Sequence, residues 1–263
     1  MQTGISTACL YPETVESSLE TLVSLGFRTF EVFLNTCSEM TPDFLQRLKT
    51  ISGGAGGSIR SVHPFTSAFE GFLLFSNYER RFLDGVRFYE EYFRAAQLLG
   101  ASIVVLHGQK DYRNSSISEE EYIDRYAHLY SVAKGYGITL AQENVNRFRS
   151  EDPAFIRRMR RRLGEGCAFV LDIKQAVRAG QDPFEMCAAM GERLVHVHIN
   201  DNTGGEDCLL PGQGTMDYAR LTALLRSFRY QGDFIIEIYS RNFAKLEEFC
   251  AAKRFIDEFL QNF

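Results

Sequence analysis

Four side chains able to hold a divalent cation close four successive strand-like segments. They are Glu143 in ITLAQEN, Asp172 in AFVLDI, His198 in LVHVHIND and Glu237 in FIIEIY. Each segment is an apolar run ending in one carboxylate or imidazole. Hard divalent cations favour carboxylate oxygen, and imidazole nitrogen suits several transition metals. Four such residues on four strand ends would hold one ion at the mouth of a barrel: Mn2+, Mg2+ or Co2+, with Zn2+ also admissible. Two more histidines follow the pattern, His63 closing SIRSVH and His107 closing SIVVLH. A polar residue often closes a strand, and a lone histidine there is more often a hydrogen-bonded core residue than a ligand. The recurrence over six strands carries the metal reading.

The elements that must position these residues are legible as alternation. Strand-like segments fall near 3–8, 28–34, 58–63, 102–107, 137–143, 167–172, 194–200 and 233–239. Between them lie stretches of helical periodicity. The clearest is 78–99, where Phe82, Val86, Tyr89, Phe93 and Ala96 recur at three- and four-residue steps. The last, 243–262, places Leu246, Phe249, Cys250, Ile256, Phe259 and Leu260 on one stripe. Eight strands alternating with eight helical stretches imply parallel βα units, and the economical closure is a single-domain (β/α)8 barrel spanning 1–263. An open doubly wound sheet is the main alternative. No G-x-G-x-x-G follows the first strand, which weakens its dinucleotide-binding version. Strand parity agrees with the barrel: Val195, Val197 and Ile199 share one face of LVHVHIND, and His196, His198 and Asn200 share the other.

Composition narrows the partners. The 263 residues carry 29 basic and 34 acidic side chains, a net charge of −5. Phosphate-backbone affinity comes mainly from basic side chains, so nucleic acid and anionic membrane surfaces are poor partners for this chain. The N-terminus has neither a basic start nor an apolar h-region, and no apolar run approaches the roughly 20 residues a membrane helix needs. The six cysteines are scattered without a C-x-x-C pair, as in reduced cytosolic proteins. The expectation is a cytoplasmic protein acting on a small molecule.

Taken together, STACLY…LGFRTFEVFL, the His63 and His107 strand ends, ENVNRF at 143–148, LDIKQA at 171–176, HVHIND at 196–201, PGQGTMDY at 211–218 and IIEIY at 235–239 resemble the xylose isomerase-like TIM barrels. ENVNRF is most similar to the ketose 3-epimerase branch. The resemblance implies a metal held by Glu143, Asp172, His198 and Glu237, with Glu143 and Glu237 as the two proton-transferring glutamates. It implies a sugar or sugar phosphate isomerase or epimerase, and a homo-oligomer is compatible with such barrels. A carboxylate on one side removes the proton α to a carbonyl, and one on the other side returns it, through an enediolate whose charge a divalent cation stabilises. His63, His107, Asn146, Arg147, Gln175 and Arg241 are the expected substrate contacts. The alternative is a metal-dependent dehydratase of a polyol-derived ketone, which begins with the same proton abstraction. An apurinic-site endonuclease is a weaker reading, and a non-catalytic sugar-binding barrel is the remaining class.

Three positions depart from the family pattern. Gln175 stands where many members have histidine. Glu206–Asp207–Cys208 stands where the endonucleases carry Asp-x-His. Arg149 replaces the glutamate that often follows Asn-Arg-Phe. The first two argue against a three-zinc phosphodiesterase site. Other features are read as structural or undecided. GGAGG at 53–57 precedes the third strand and reads as a turn on the bottom face. PGQG at 211–214 reads as a structural turn or as a phosphate or sugar contact. The run Arg157, Arg158, Arg160, Arg161 and Arg162 reads as an outer helix face. Cys9, near the mouth, has no base beside it. Lys174 shares Asp172's parity, and a Schiff-base role for it is weak beside the metal reading.

Overall fold

Strands that are covered on both faces need no polar side, which explains the near-continuous apolar runs of this chain. The computed structural model describes residues 1–110 and 117–261. Its strands are β1 Thr3–Ser6, β2 Thr29–Leu34, β3 Ser58–Pro64, β4 Ile103–Leu106, β5 Thr139–Glu143, β6 Phe169–Asp172, β7 Leu194–Ile199 and β8 Phe234–Ile236. They pair in parallel in chain order, and β1 pairs with β8 to close the barrel. The expected (β/α)8 barrel is the observed fold. No helix among the described residues is long and apolar enough to cross a membrane.

The helices are α1 Val15–Ser24, α2 Pro42–Gly54, α3 Glu70–Leu73, α4 Glu79–Leu99, α5 Glu119–Gly135, α6 Pro153–Leu163, α7 Ile173–Arg178, α8 Pro183–Met190, α9 Tyr218–Ser227 and α10 Glu247–Gln261. In α4 the expected stripe is the buried one: Phe82, Val86, Tyr89, Phe93 and Ala96 all face the core. Gly100 ends the helix at φ 78°, a left-handed conformation in which glycine pays no Cβ penalty. The simple count of one helix per strand fails twice. A short α3 precedes α4, and the stretch between β6 and β7 divides into α7 and α8. The break falls at Gly180, with φ 70°, and at Asp182, whose carboxylate caps α8 ahead of Pro183.

Several expected boundaries shift, and β5 and β6 each begin two residues later than expected. β1 stops at Ser6, whose hydroxyl caps a 3-10 turn over Thr7–Leu10. β8 stops at Ile236, leaving Glu237 one residue beyond the ladder. Helix α10 begins at Glu247, so Leu246, expected on its apolar stripe, precedes the helix and is exposed. Residue 262, expected in the same helix, lies outside the described residues, as does residue 263 of the expected domain.

The five-arginine run sits on α6 as an ion-paired outer face. Arg157 reaches Glu185, Arg158 reaches Glu119, Arg160 reaches Glu192 and Arg162 reaches Asp124. GGAGG closes α2 and turns into β3, with the Gly57 amide donating to Ser52 O. It lies at the N-terminal end of a strand, away from the barrel mouth.

Candidate metal centre

Parallel strands all end at one rim, so residues far apart in sequence converge there. Glu143 and Asp172 are the last residues of β5 and β6, His198 is the penultimate residue of β7, and Glu237 follows β8. One ligand atom from each lies within 4.8 Å of every other. His198 Nδ1 stands 3.0 Å from Glu237 Oε2, 3.5 Å from Glu143 Oε1 and 3.7 Å from Asp172 Oδ2. Ligands facing one another across an ion bound at about 2.0–2.2 Å stand roughly 4 Å apart, so the spacing suits a divalent cation.

Two buried atoms point the same way. Glu143 Oε2 and His198 Nδ1 lack a hydrogen bond of sound geometry. His107 Nε2 does approach Glu143 Oε2 to 2.8 Å. That contact is close enough to matter electrostatically, but it is poorly aligned. Buried polar atoms are nearly always satisfied, and a ligand site is one reason for an exception. Three carboxylates and an imidazole with two such atoms form a donor set that fits a divalent ion.

The four donors are held by a network the strand ends create. Asn144 and Asp172 exchange two bonds across β5 and β6: Asn144 Nδ2 donates to Asp172 O at 2.9 Å, and Asp172 N donates to Asn144 Oδ1 at 2.8 Å. Gln142 donates to the carbonyls of Leu106, His107 and Glu143, tying the ends of β4 and β5 together. Glu31 of β2 is fully buried, and its Oε2 lies 3.1 Å from His198 Nε2. The same oxygen accepts from Ser61 Oγ at 2.8 Å. A carboxylate behind a ligand histidine fixes ring orientation and leaves the other ring nitrogen for the ion.

Charge follows from these contacts. Burial opposes ionisation of Glu143, but the imidazoles of His107, His198 and His63 around it hold its carboxyl well below the usual range. Glu237 is lowered in the same way: burial works against it, and Lys174 and His198 outweigh burial. Burial would discharge Lys174, yet Asp172 and Glu237 keep it protonated. Its Nζ bonds both Asp172 Oδ2 and Glu237 Oε2, the latter at 2.7 Å.

The site opens into a cleft of about 650 Å³. His63, His107 and Gln175 line it, and Tyr11, Phe33, Phe65 and Tyr239 add aromatic faces. His63 stacks on Phe33 with ring centroids 4.7 Å apart, and it also faces His107, 2.9 Å between Nε2 atoms. With Glu143 these two histidines form a second group of converging donors. Asn146 does not line the cleft; its backbone amide donates to Oε1 of Gln175, which does. Arg147 and Arg241 are not among the cleft-lining residues. Arg147 is exposed at φ 68° with its amide bound to Glu151, and Arg241 lies over the Tyr239 ring at 5.3 Å.

Three undecided features find their place. PGQG is tied into its own chain: the Gly212 amide donates to Asp201, which also accepts from Asn202 and Met216, at 2.8–3.0 Å, and the Gln213 amide donates to Leu210 O at 3.0 Å. Those amides are committed internally, which favours the structural turn over an anion contact. Arg149 is buried and bonds Gln109 Oε1 through Nε and Nη2, so this departure from the family pattern braces the β4 and β5 loops against each other. Cys9 is fully buried, donates to Ile236 O, and has its thiol pushed up to about 12 by burial. It is not a nucleophile. Glu31 and the weight of Lys174 were missed from sequence. The signal for Glu31 was present in TFEVFL, where it shares a face with Thr29 and Phe33 rather than with the aliphatic set.

Comparison with known proteins agrees with the fold. A family model described as xylose isomerase-like TIM barrel matches residues 19–259. An uncharacterized protein of Mycobacterium leprae is 27% identical, over 90% of this chain and 89% of its own length. The crystal structure of a D-tagatose 3-epimerase-like protein superposes with a TM-score of 0.79 at 22% identity, covering 100% of this chain and 98% of that one. D-psicose 3-epimerase from Clostridium cellulolyticum H10, solved with D-tagatose, gives 0.80 at 17% identity with 99% of each chain covered.

Proposed function

The chain belongs to the xylose isomerase-like TIM barrel family, and from that premise we propose that it is a divalent-metal-dependent isomerase or epimerase of a sugar or sugar phosphate. The observation that carries this reading is the convergence of three carboxylates and an imidazole from the ends of β5 to β8 within 4.8 Å, with buried atoms left unsatisfied among them. Glu143, Asp172, His198 and Glu237 would hold the ion. When bound, it would supply positive charge against the negative charge that develops on substrate oxygen.

The residues of the chain do the rest. Glu143 and Glu237, both held ionised and standing 3.5 and 3.0 Å from His198 Nδ1, are poised as proton acceptors. One takes the proton α to the substrate carbonyl and the other returns it. Return to the opposite face of the same carbon inverts it; return to the neighbouring carbon moves the carbonyl. His63, His107 and Gln175 offer hydrogen bonds to hydroxyls, with Asn146 behind Gln175. The aromatic faces of Tyr11, Phe33, Phe65 and Tyr239 suit the apolar face of a sugar ring and keep water from the carbanion. The similar solved structures include a D-tagatose 3-epimerase-like protein and a D-psicose 3-epimerase, which supports a sugar as substrate.

The test uses the purified protein with Mn2+ and a panel of ketoses in D2O. The reading expects near one equivalent of bound ion and deuterium at one sugar carbon. It expects both to be retained in no more than trace amounts in Glu237→Gln, and the exchange to be lost in Glu143→Gln. A wild-type protein that binds no divalent ion defeats the reading. A product 18 mass units lighter than its substrate would move the assignment to the dehydratase.

A further inference from the structure

The charge at the site is not balanced by histidines alone. Lys174 Nζ sits between Asp172 Oδ2 and Glu237 Oε2, two of the four proposed ligands. The side chain is 3% exposed, against 0% for Asp172 and 12% for Glu237. Its third boundary is the cleft, which Lys174 lines and where the Tyr239 ring lies 5.8 Å from Nζ. A buried ammonium flanked by two carboxylates is stable because each charge would otherwise be uncompensated. A dication held by the same two carboxylates would stand within a few ångströms of it, where like charges repel strongly in a site of low effective dielectric.

We propose that Lys174 is an internal cation that neutralises Asp172 and Glu237 in the metal-free protein and competes with the divalent ion for them. This rests on the metal reading of the site. Binding of the ion then requires the ammonium to give up those oxygens and turn toward the cleft beside Tyr239. Two observations support the exchange. The unsatisfied atoms, Glu143 Oε2 and His198 Nδ1, belong to the two ligands Lys174 does not bond, so the lysine fills only half of the donor set. The cleft gives the displaced ammonium an aromatic face, and cations are attracted to such faces. Lys174 is a positioning residue in this account: it sets how tightly the ion is held and keeps the empty site folded.

The test is Mn2+ binding by isothermal titration to wild type, Lys174→Gln, Lys174→Met and Lys174→Arg, with melting temperature measured metal-free and at saturation. Circular dichroism confirms that each variant is folded. The proposal expects Gln and Met to bind Mn2+ at least about tenfold more tightly than wild type, with Arg close to wild type. It also expects the metal-free Gln and Met proteins to melt below wild type and to recover most of that gap at saturation. Tight binding by Lys174→Gln where wild type binds nothing would support the lysine as occupant while refuting a resident metal in the wild-type protein. Equal or weaker binding by both neutral variants, with wild type binding normally, overturns the competition and leaves the metal reading intact. No binding by any of the four proteins overturns both.

Discussion

Replacing Glu31 with glutamine tests whether the buried carboxylate behind His198 matters to the ion it never touches. The change is nearly isosteric and removes one charge. Glu31 Oε2 faces His198 Nε2 at 3.1 Å, His196 Nε2 at 3.3 Å and Ser61 Oγ at 2.8 Å, while Oε1 has no partner. A glutamine can keep its carbonyl toward Ser61 and His198 and put its amide where Oε1 stood, so the fold should survive. What is lost is the charge assistance that orients the His198 ring. Losing such an outer partner typically costs about 10–100-fold in metal affinity. At Mn2+ fixed at about 100 times the wild-type dissociation constant, the ion stabilises wild type by about 2.7 kcal/mol, and the variant by only about 0.4–1.4 kcal/mol. For a chain of 263 residues, about 2.1 cal/mol/K per residue gives an unfolding entropy near 0.55 kcal/mol/K, or about 2 °C per kcal/mol. The expected Mn2+-induced rise in melting temperature is therefore about 5 °C in wild type and about 1–3 °C in Glu31→Gln, read by differential scanning fluorimetry and checked by titration calorimetry. An equal rise in both proteins would refute the claim that Glu31 supports the ligand histidine.

Other outcomes follow from contacts away from the ion. Arg178 holds the Asp207 carboxyl below its ordinary value against a modest burial effect. A depressed carboxyl stabilises the fold above its unfolded pKa and loses that contribution as pH falls through the folded value, so Asp207→Asn should cost about 0.5–1 kcal/mol by urea unfolding at pH 7 and progressively less as pH falls below the ordinary carboxylate range; a gap that does not shrink in acid contradicts the pairing. Native-state alkylation at pH 8 should modify exposed Cys37 and spare Cys9 and Cys187, whose thiols burial pushes to about 12; mass spectrometry showing Cys9 labelled as fast as Cys37 would disprove it. A Cβ at Gly214 would meet Asn202 O and Asp201 Oδ1 at 2.4 Å, so Gly214→Ala should lower stability by roughly 2–4 kcal/mol, and wild-type stability would show that the loop yields. Neutralising Arg157, Arg160 and Arg162 singly should change stability by less than about 1 kcal/mol each, since these pairs are solvent-exposed; a loss of several kcal/mol in any one would contradict the outer-face reading.

The barrel and its four donors were readable because both depend on local pattern. Apolar runs separated by amphipathic helices specify parallel βα units, and parallel strands that close a barrel must all end at one rim. A polar residue closing each run then has only one place to go. That logic reached Glu143, Asp172, His198 and Glu237, along with His63 and His107, without any distance being known; Gln175, in α7, came from the family resemblance. It did not reach contacts between residues far apart in sequence. Glu31 meets His198 across 167 positions and Lys174 meets Glu237 across 63. Neither meeting is encoded in periodicity, because it depends on how far barrel closure brings particular strand ends together. The same limit explains why PGQG looked open to an anion until the Gly212 amide was seen bound to Asp201, and why Asn146, Arg147 and Arg241 were expected at a cleft they do not line. Sequence determined which side chains stand at the mouth, through strand parity and hydropathy. Only the tertiary structure decided which of them touch, and hence that a lysine already stands between Asp172 and Glu237, two of the four proposed ligands.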